Sequence, residues 1–241
     1  MNGNFKKDIP GMLSAQQMLL MREKDASGLL IIPNNPDKCD AIVRFIGIVT
    51  PVQTHSLNVA VVKKRFERNI PDTDALVTFT DDIALGIRTA DCVPVIVYAP
   101  DVTGIAAIHA GWKGTLGGIV ENTLDVLVER GADPAKMKVT FGPSISKERY
   151  EVDTELAERF IEAGFKEQVS YPGGKDGKPH IDLQGVNAQR FIRRGVKPEN
   201  ITLFQGCTYS STDDEGNPLF PSYRRDGDQA GRMLTTVCIV K

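Results

Sequence analysis

Residues 75–110 read ALVTFTDDIALGIRTADCVPVIVYAPDVTGIAAIHA, and this stretch decides the fold class of the chain. Four short apolar runs occupy residues 75–79, 84–88, 93–99 and 104–110. Aspartate, proline and glycine residues separate the runs, which is typical of consecutive strands joined by short turns. The stretch therefore predicts four adjacent strands of one sheet.

The sequence after these strands changes to a helical period. In residues 116–130 the apolar side chains fall on one helical face, and Gly131 and Pro134 then predict the end of a helix. Asp153 and Asp182 each predict the start of a further helix, ending near residues 163 and 195. Residues 41–49 favour a strand, or a short helix followed by a strand. Residues 137–141 and 201–205 favour strands, and residues 229–236 favour a short helix. The predicted fold class is α/β.

Length and composition narrow the possible classes of protein. With 241 residues, 41% hydrophobic and 25% charged, the chain resembles a soluble globular protein that folds as one domain over residues 1–241. A formal charge of -2 provides no broad positive field for nucleic acid or an anionic membrane. Residues 1–10 are polar, and no segment is apolar enough to span a bilayer, so we expect a cytoplasmic location.

Two of the three histidines and one of the four cysteines stand beside predicted strands. His55 precedes an apolar segment, His109 ends one, and Cys92 precedes another. Two imidazoles and a thiolate suit zinc, and three protein ligands leave a fourth position for water or substrate. The alternative to a metal site is that the histidines are buried, hydrogen-bonded residues and the cysteine is inert and buried. The spacing in the sequence does not distinguish these alternatives, because the three residues lie on separate strands.

Several sequence blocks resemble those of the YfiH/YlmD-type laccase-domain family, also called polyphenol oxidase or purine nucleoside phosphorylase. The matching blocks are Thr89-Ala90-Asp91-Cys92, His109-Ala110-Gly111-Trp112-Lys113-Gly114, Phe141-Gly142-Pro143-Ser144-Ile145, Tyr150-Glu151-Val152 and Ser222-Tyr223-Arg224-Arg225-Asp226. The resemblance implies a layered sandwich of a mixed β-sheet with packed helices. It also implies that His55, Cys92 and His109 are zinc ligands. Residues 1–50 depart most from the family pattern, which weakens the transfer of substrate specificity.

The resemblance implies purine nucleosides and phosphate as partners. Members are described as phosphorolysing adenosine, inosine and methylthioadenosine and as deaminating adenosine, and some are linked to editing of peptidoglycan precursors. The laccase label implies copper, but multicopper oxidation needs about ten histidines, so three leave copper only as an adventitious occupant. The preferred reaction and the oligomeric state stay open.

Each reaction makes its own demand on side chains. Deamination needs a carboxylate to transfer protons, for which Asp91 is the candidate, although a turn residue at a strand start is equally plausible. Phosphorolysis needs cationic groups that hold phosphate, which Arg224, Arg225 and Lys113 supply unless the two arginines belong to a solvated turn. Tyr223 is a candidate for stacking on a purine, with packing beneath the turn as the alternative. Cys207 is a candidate for the pocket wall.

Overall fold

The computed structural model describes residues 30–32, 48–65, 67, 70–174 and 177–239. Most of the N-terminal region, including residues 41–47 of the predicted strand at 41–49, lies outside the described residues. The described strands are β1 (Leu30–Ile32), β2 (Val59–Val61), β3 (Ala75–Thr78), β4 (Leu85–Thr89), β5 (Val93–Ala99), β6 (Gly104–Ala110), β7 (Lys138–Phe141), β8 (Val169–Ser170), β9 (His180–Ile181), β10 (Ile201–Thr202) and β11 (Met233–Val237).

Six of these strands form a mixed sheet in the order β10-β7-β5-β6-β3-β2. The two outer pairs, β10 with β7 and β2 with β3, are parallel, whereas the inner pairs are antiparallel. The central strands β5 and β6 are apolar along almost their whole length because both faces of the sheet are covered. The mixed sheet and its packed helices confirm the predicted α/β fold.

A second sheet corrects the prediction that residues 75–110 lie in one sheet. Strand β4 pairs with β11, and β11 pairs with β1, so these three strands form a separate antiparallel sheet. The prediction of a helix over residues 229–236 is wrong, because residues 233–237 form strand β11 of this second sheet. Residues 233–237 read MLTTV, and their β-branched side chains fit the buried ladder beside β4.

The helices begin and end close to their predicted bounds, with one correction. The helix predicted over residues 116–130 is two helices, Trp112–Gly117 and Ile119–Glu129, because Gly118 takes a φ of 95° that breaks the helix. The predicted helices after Asp153 and Asp182 are confirmed as Thr154–Glu162 and Leu183–Arg193. A four-residue helix, Tyr223–Asp226, follows near the carboxyl end. No helix among the described residues is both long and apolar enough to cross a membrane.

The core divides into two layers on opposite faces of the six-stranded sheet. On one face the apolar sides of the helices pack against residues such as Val95 and Ile108. On the other face the three-stranded sheet packs through Ile87 and Val237 against Ile96. Alternation along β6 places His109 on the face toward the small sheet, opposite Pro94 near the start of β5.

Candidate metal centre

Three separate segments bring the predicted metal ligands together. His55 lies in the loop before β2, Cys92 directly before β5, and His109 in β6 opposite Pro94 of β5. His55 has a φ of 62°, in the left-handed region that a residue other than glycine seldom occupies. The structure therefore places three donors in one cluster that the sequence order does not show.

The donor atoms lie at distances compatible with a single metal ion. One ligand atom from each of His55, Cys92 and His109 lies within 4.8 Å of the other two. The Cys92 Sγ atom lies 3.8 Å from His55 Nε2, and the two imidazole centroids are 4.8 Å apart. A tetrahedral zinc site with bonds of about 2.0–2.3 Å separates its donors by roughly 3.3–3.8 Å. Two imidazoles and a thiolate in this arrangement could hold a metal ion.

Gly111 allows this close approach of the donors. A Cβ atom at position 111 would lie 2.7 Å from His55 Cδ2 and 3.1 Å from Cys92 Sγ. Both distances are tighter than ordinary van der Waals contacts, so any larger residue would displace a ligand. The glycine that follows the His109-Ala110 dipeptide is thus required by the packing of the cluster.

A buried carboxylate orients His109 from behind. Asp74 is fully buried, and its Oδ1 atom lies 2.6 Å from His109 Nδ1. An ionised carboxylate only accepts hydrogen bonds, so Nδ1 carries a proton, and Nε2 is the nitrogen that could bind a metal after losing its own proton. Asp74 also accepts hydrogen bonds from the backbone of Thr54, His55 and Ser56. One side chain therefore positions both histidines.

The same contacts shift three pKa values. Burial raises the pKa of Cys92, but hydrogen bonds and charges of His109 and His55 outweigh it and lower the pKa to about 6. Burial lowers the pKa of His109, but its hydrogen bonds with Asp74 and Cys92 raise it to about 9. Burial also raises the pKa of Asp74, and hydrogen bonds from His109 and Ser56 bring it down to about 2. Near neutral pH, Cys92 is therefore a thiolate, the form that binds metals.

The cluster opens into a cavity of about 780 Å³. Its walls contain charged, aromatic and apolar side chains beside the three candidate ligands. The lining residues most relevant to chemistry are Arg88, Asp91, Trp112, Tyr150, Tyr223, Arg224 and Arg232. Burial raises the pKa of Tyr150, so its hydroxyl stays protonated and can donate a hydrogen bond. The cavity thus offers cationic groups and aromatic faces next to a possible metal.

Asp91 lies in the cavity wall and holds two other segments in place. Its Oδ1 accepts a hydrogen bond of 2.6 Å from the Thr208 hydroxyl. Its Oδ2 accepts bonds of 3.1 Å from the Ser222 hydroxyl and 2.6 Å from the Arg224 backbone N–H. Asp91 is 8% exposed and has a φ of 81°. Its hydrogen bond with the Arg224 N–H fixes the start of the helix Tyr223–Asp226 beside Cys92.

Arg224 and Tyr223 reach the cavity from that helix. The Arg224 guanidinium donates to the Glu151 carbonyl oxygen at 2.8 Å and lies 5.3 Å from the centroid of the Tyr150 ring. Tyr223 is half exposed, and its hydroxyl donates to Asp228. The structure therefore brings Asp91, Tyr223 and Arg224 to the same cavity as the candidate metal ligands.

Three other predicted residues are not among those lining this cavity. Arg225 directs its guanidinium to the backbone carbonyl oxygens of Thr208, Tyr209 and Phe220, which explains why it holds the loop and does not face the cavity. Lys113 places its ammonium 5.6 Å from the centroid of the Trp112 ring. Cys207 is buried and accepts a hydrogen bond from the Ser146 backbone.

Four residues that shape the site, Asp74, Gln53, Arg88 and Arg232, lie outside the motifs that predicted the other site residues. Asp74 directly precedes β3 and contacts His109, which follows 35 positions later. Gln53 binds both the backbone N–H and the carbonyl of Arg88 through its amide. Arg88 and Arg232 line the cavity from adjacent strand ends. The sequence around Asp74 shows only a carboxylate before a fully buried strand, and this pattern does not indicate which residue the carboxylate contacts.

The chain resembles several known proteins. Residues 34–240 match the family described as multi-copper polyphenol oxidoreductase laccase. Adenosine deaminase RL5, from an unknown prokaryotic organism, is 34% identical over 199 residues, covering 79% of this chain and 74% of that protein. A purine nucleoside phosphorylase from Bacteroides thetaiotaomicron is 37% identical over 204 residues, covering 80% and 74% respectively. The crystal structure of Bacillus licheniformis hypothetical protein YfiH has a TM-score of 0.74 at 28% identity, covering 84% of this chain and 79% of that one.

Proposed function

The chain belongs to the multi-copper polyphenol oxidoreductase laccase family, and from this membership we propose that it is a zinc-dependent enzyme acting on purine nucleosides. The proposed reactions are phosphorolysis of purine nucleosides, including methylthioadenosine, and deamination of adenosine. Relatives that share about a third of its residues bear the names purine nucleoside phosphorylase and adenosine deaminase. The observation that carries the proposal is the position of the His55, Cys92 and His109 cluster in the wall of a cavity with arginine and aromatic side chains.

The donor set favours zinc over copper as the native metal. Two imidazole nitrogens and one thiolate are common zinc ligands, and three protein ligands are typical of catalytic zinc sites. A multicopper oxidase needs about ten histidines, whereas this chain has three. When bound, zinc would supply a Lewis acid with one coordination position open to water or substrate. Copper at the same residues would be an adventitious occupant.

The cavity suits a purine nucleoside in size and in chemistry. Its volume of about 780 Å³ lies within the range of roughly 300–1,000 Å³ that small-molecule sites occupy. Tyr223 is half exposed and lines the cavity, so its ring is available to stack on a purine base. Tyr150 and Trp112 add two more aromatic walls.

The charged side chains have different tasks in the two proposed reactions. Arg224, fixed by Glu151 and Tyr150, would hold phosphate beside the sugar carbon that phosphate attacks. Arg225 supports Arg224 by tying their common helix to the backbone carbonyl oxygens of Thr208 and Phe220. Asp91 would accept or return a proton during deamination while its hydrogen bonds keep the helix Tyr223–Asp226 in place.

Product analysis separates the two reactions. Metal-loaded protein is incubated with adenosine, inosine or methylthioadenosine, with and without phosphate, and the products are resolved by chromatography. Phosphate-dependent release of adenine or hypoxanthine supports phosphorolysis, whereas phosphate-independent conversion of adenosine to inosine supports deamination. No turnover of any of these nucleosides would refute the proposed function.

Elemental analysis tests the metal assignment independently of activity. We expect stoichiometric zinc in the wild-type protein and its loss in Cys92→Ala. Cys238→Ala is the matched control, because Cys238 is a partly buried cysteine outside the cavity lining. Unchanged zinc in Cys92→Ala would contradict the assignment. The alternative function, editing of a peptidoglycan precursor, is tested by replacing the nucleosides with a muropeptide precursor in the same incubation.

A further inference from the structure

Tyr150 lines the cavity beside the candidate metal centre, and its hydroxyl forms no hydrogen bond with any residue that the structure describes. We propose that this hydroxyl is a catalytic group, which donates a hydrogen bond to ring nitrogen N7 of the purine that leaves during phosphorolysis. The inference rests on the proposed function and deepens it, because it assigns a residue to the departing base.

The two tyrosines of the cavity wall differ in what their hydroxyls contact. Tyr223 is half exposed, and its hydroxyl donates to Asp228 at 3.2 Å. Tyr150 is partly buried, and its ring packs against the core layer on the helical face of the six-stranded sheet. Because no described residue accepts from the Tyr150 hydroxyl, its donor capacity is left for a molecule in the cavity.

Other polar side chains in the cavity wall are engaged with the protein. Asp91 accepts hydrogen bonds from the Thr208 and Ser222 hydroxyls and from the Arg224 backbone. The Gln53 amide binds the backbone N–H and the carbonyl oxygen of the residue at position 88. Tyr150 therefore differs from these groups, since its polar atom has no structural task among the described residues.

Backbone and ring contacts hold Tyr150 in one place. Its N–H donates to the Ser146 carbonyl oxygen at 3.0 Å, and its carbonyl oxygen accepts from the Ile181 N–H at 3.2 Å. The Arg224 guanidinium lies 5.3 Å from the ring centroid and is itself bonded to the Glu151 carbonyl oxygen. A donor held in this way stabilises developing charge without reorganising during the reaction.

The hydroxyl is a hydrogen-bond donor throughout the neutral pH range. Burial raises the pKa of Tyr150 above its ordinary value of about 10. The Cys92 thiolate and the Asp91 carboxylate also raise this pKa, whereas Arg224 lowers it. These charges act on the hydroxyl because it lies toward the part of the cavity that holds Cys92, a candidate metal ligand.

Phosphorolysis creates a negative charge on the departing purine. A phosphate oxygen forms a bond to C1′, the C1′–N9 bond breaks, and its electron pair stays on the purine. N7 shares a five-membered ring with N9, so N7 becomes a stronger acceptor as the bond breaks, and a donor placed there stabilises the transition state more than the ground state. The Tyr150 hydroxyl keeps its proton. The proton that the purine finally gains is the one that hydrogen phosphate loses when it forms the ester.

Tyr150→Phe tests this role, because it removes the hydroxyl and keeps the ring that packs on the core and on Arg224. Tyr209→Phe is the matched control. Tyr209 is also partly buried, its ring centroid lies 5.6 Å from the Arg149 guanidinium, and it is not among the cavity-lining residues. Since no described residue bonds to the Tyr150 hydroxyl, the urea midpoint of Tyr150→Phe should equal that of the wild type.

The measurements use the metal-loaded full chain. Steady-state kinetics of inosine phosphorolysis separate kcat from KM. Calorimetry gives the Kd of adenosine and of 7-deazaadenosine, in which a C–H group replaces N7, so binding is measured without turnover. The two nucleosides differ at the one atom that the hydroxyl is proposed to contact.

We expect kcat to fall about 100-fold in Tyr150→Phe, with KM rising less than tenfold. The Kd of adenosine should rise about 3–10-fold, as expected for one lost hydrogen bond, and that of 7-deazaadenosine should change less than twofold. Tyr209→Phe should match the wild type in all three quantities.

Two results would overturn the role of Tyr150 while the proposed function stands. One is an unchanged kcat in Tyr150→Phe, and the other is an equal change in the Kd of both nucleosides. If the adenosine Kd responds as expected but no nucleoside is turned over by the wild type, the proposed function alone is refuted. No binding of adenosine to the wild type would overturn both.

Discussion

Replacing Asp74 with asparagine tests whether one buried carboxylate organises the metal centre. Its Oδ1 atom accepts from His109 Nδ1 at 2.6 Å and from the His55 backbone N–H at 3.1 Å. Its Oδ2 atom accepts from the Thr54 N–H at 3.1 Å and from the Ser56 N–H and hydroxyl at 2.7 and 2.8 Å. Asparagine keeps the shape of the side chain but has only one accepting oxygen.

The structure sets the expected magnitude. With the amide nitrogen in place of Oδ1, the His55 N–H loses its acceptor and His109 must change tautomer. With the amide nitrogen in place of Oδ2, the backbone N–H groups of Thr54 and Ser56 lose their acceptor. The arrangement with the nitrogen in place of Oδ1 therefore costs less. A buried donor left without a partner costs about 1–3 kcal/mol, and since one donor is lost we expect the free energy of unfolding to fall by about this amount.

The change of tautomer has a second effect, on metal binding. If His109 Nδ1 accepts a hydrogen bond from the asparagine amide, the ring proton moves to Nε2, which then cannot bind a metal. Loss of such an orienting carboxylate typically weakens metal affinity 10–100-fold, or about 1.4–2.8 kcal/mol. We therefore expect the zinc Kd of Asp74→Asn to rise by this factor.

Zinc affinity is measured by competition with a chromogenic chelator, and stability by urea unfolding of the metal-free protein. Asp72→Asn is the matched control, because Asp72 binds the same loop through Thr54 and Asn58 but does not contact His109. The control should bind zinc like the wild type. Wild-type zinc affinity in Asp74→Asn would refute the role assigned to the carboxylate, whatever its effect on unfolding.

Three further perturbations have defined outcomes. Gly111→Ala places a methyl group 2.7 Å from His55 Cδ2 and 3.1 Å from Cys92 Sγ, so zinc affinity should fall at least tenfold in the chelator assay. In metal-free protein, alkylation of Cys92 should accelerate with rising pH around a midpoint near pH 6, because the thiolate forms as pH passes the lowered pKa. A midpoint near 9, the ordinary value for a thiol, would contradict the ion pair with His109. Asp91→Asn should lower the free energy of unfolding by about 1–3 kcal/mol in urea titrations, since one of three donors loses its acceptor. An unchanged urea midpoint would show that Asp91 does not hold the helix Tyr223–Asp226.

Local patterns were sufficient for most of the secondary structure. Apolar runs in β5 and β6 act over a few residues, and so does Asp182, whose side chain accepts a hydrogen bond from the Gly185 N–H, so their physical causes are visible in the sequence. Asp153 precedes its helix at the predicted position, but its side chain makes no capping hydrogen bond. The prediction was wrong at residues 233–237, where a buried ladder with β4 overrides local preference. Similarly, the left-handed conformation of Gly118 breaks a helix whose apolar period continues past it.

The candidate metal centre was likewise predictable from the sequence only in part. The residue types of His55, Cys92 and His109, together with the family resemblance, were enough to predict the donors, because ligand chemistry belongs to individual side chains. Their distances depend on the pairing of β5 with β6 and on the absence of a side chain at Gly111.

By itself, the sequence determined the α/β class, most element bounds and the candidate donors of the metal centre. Only the tertiary structure decided which sheet receives β4, that Asp74 orients His109, and that Arg88 and Arg232 join Arg224 while Arg225 turns to backbone carbonyls. The physical reason is that propensity and ligand chemistry are local, whereas hydrogen-bond partners and cavity walls arise from strand pairing between distant parts of the chain.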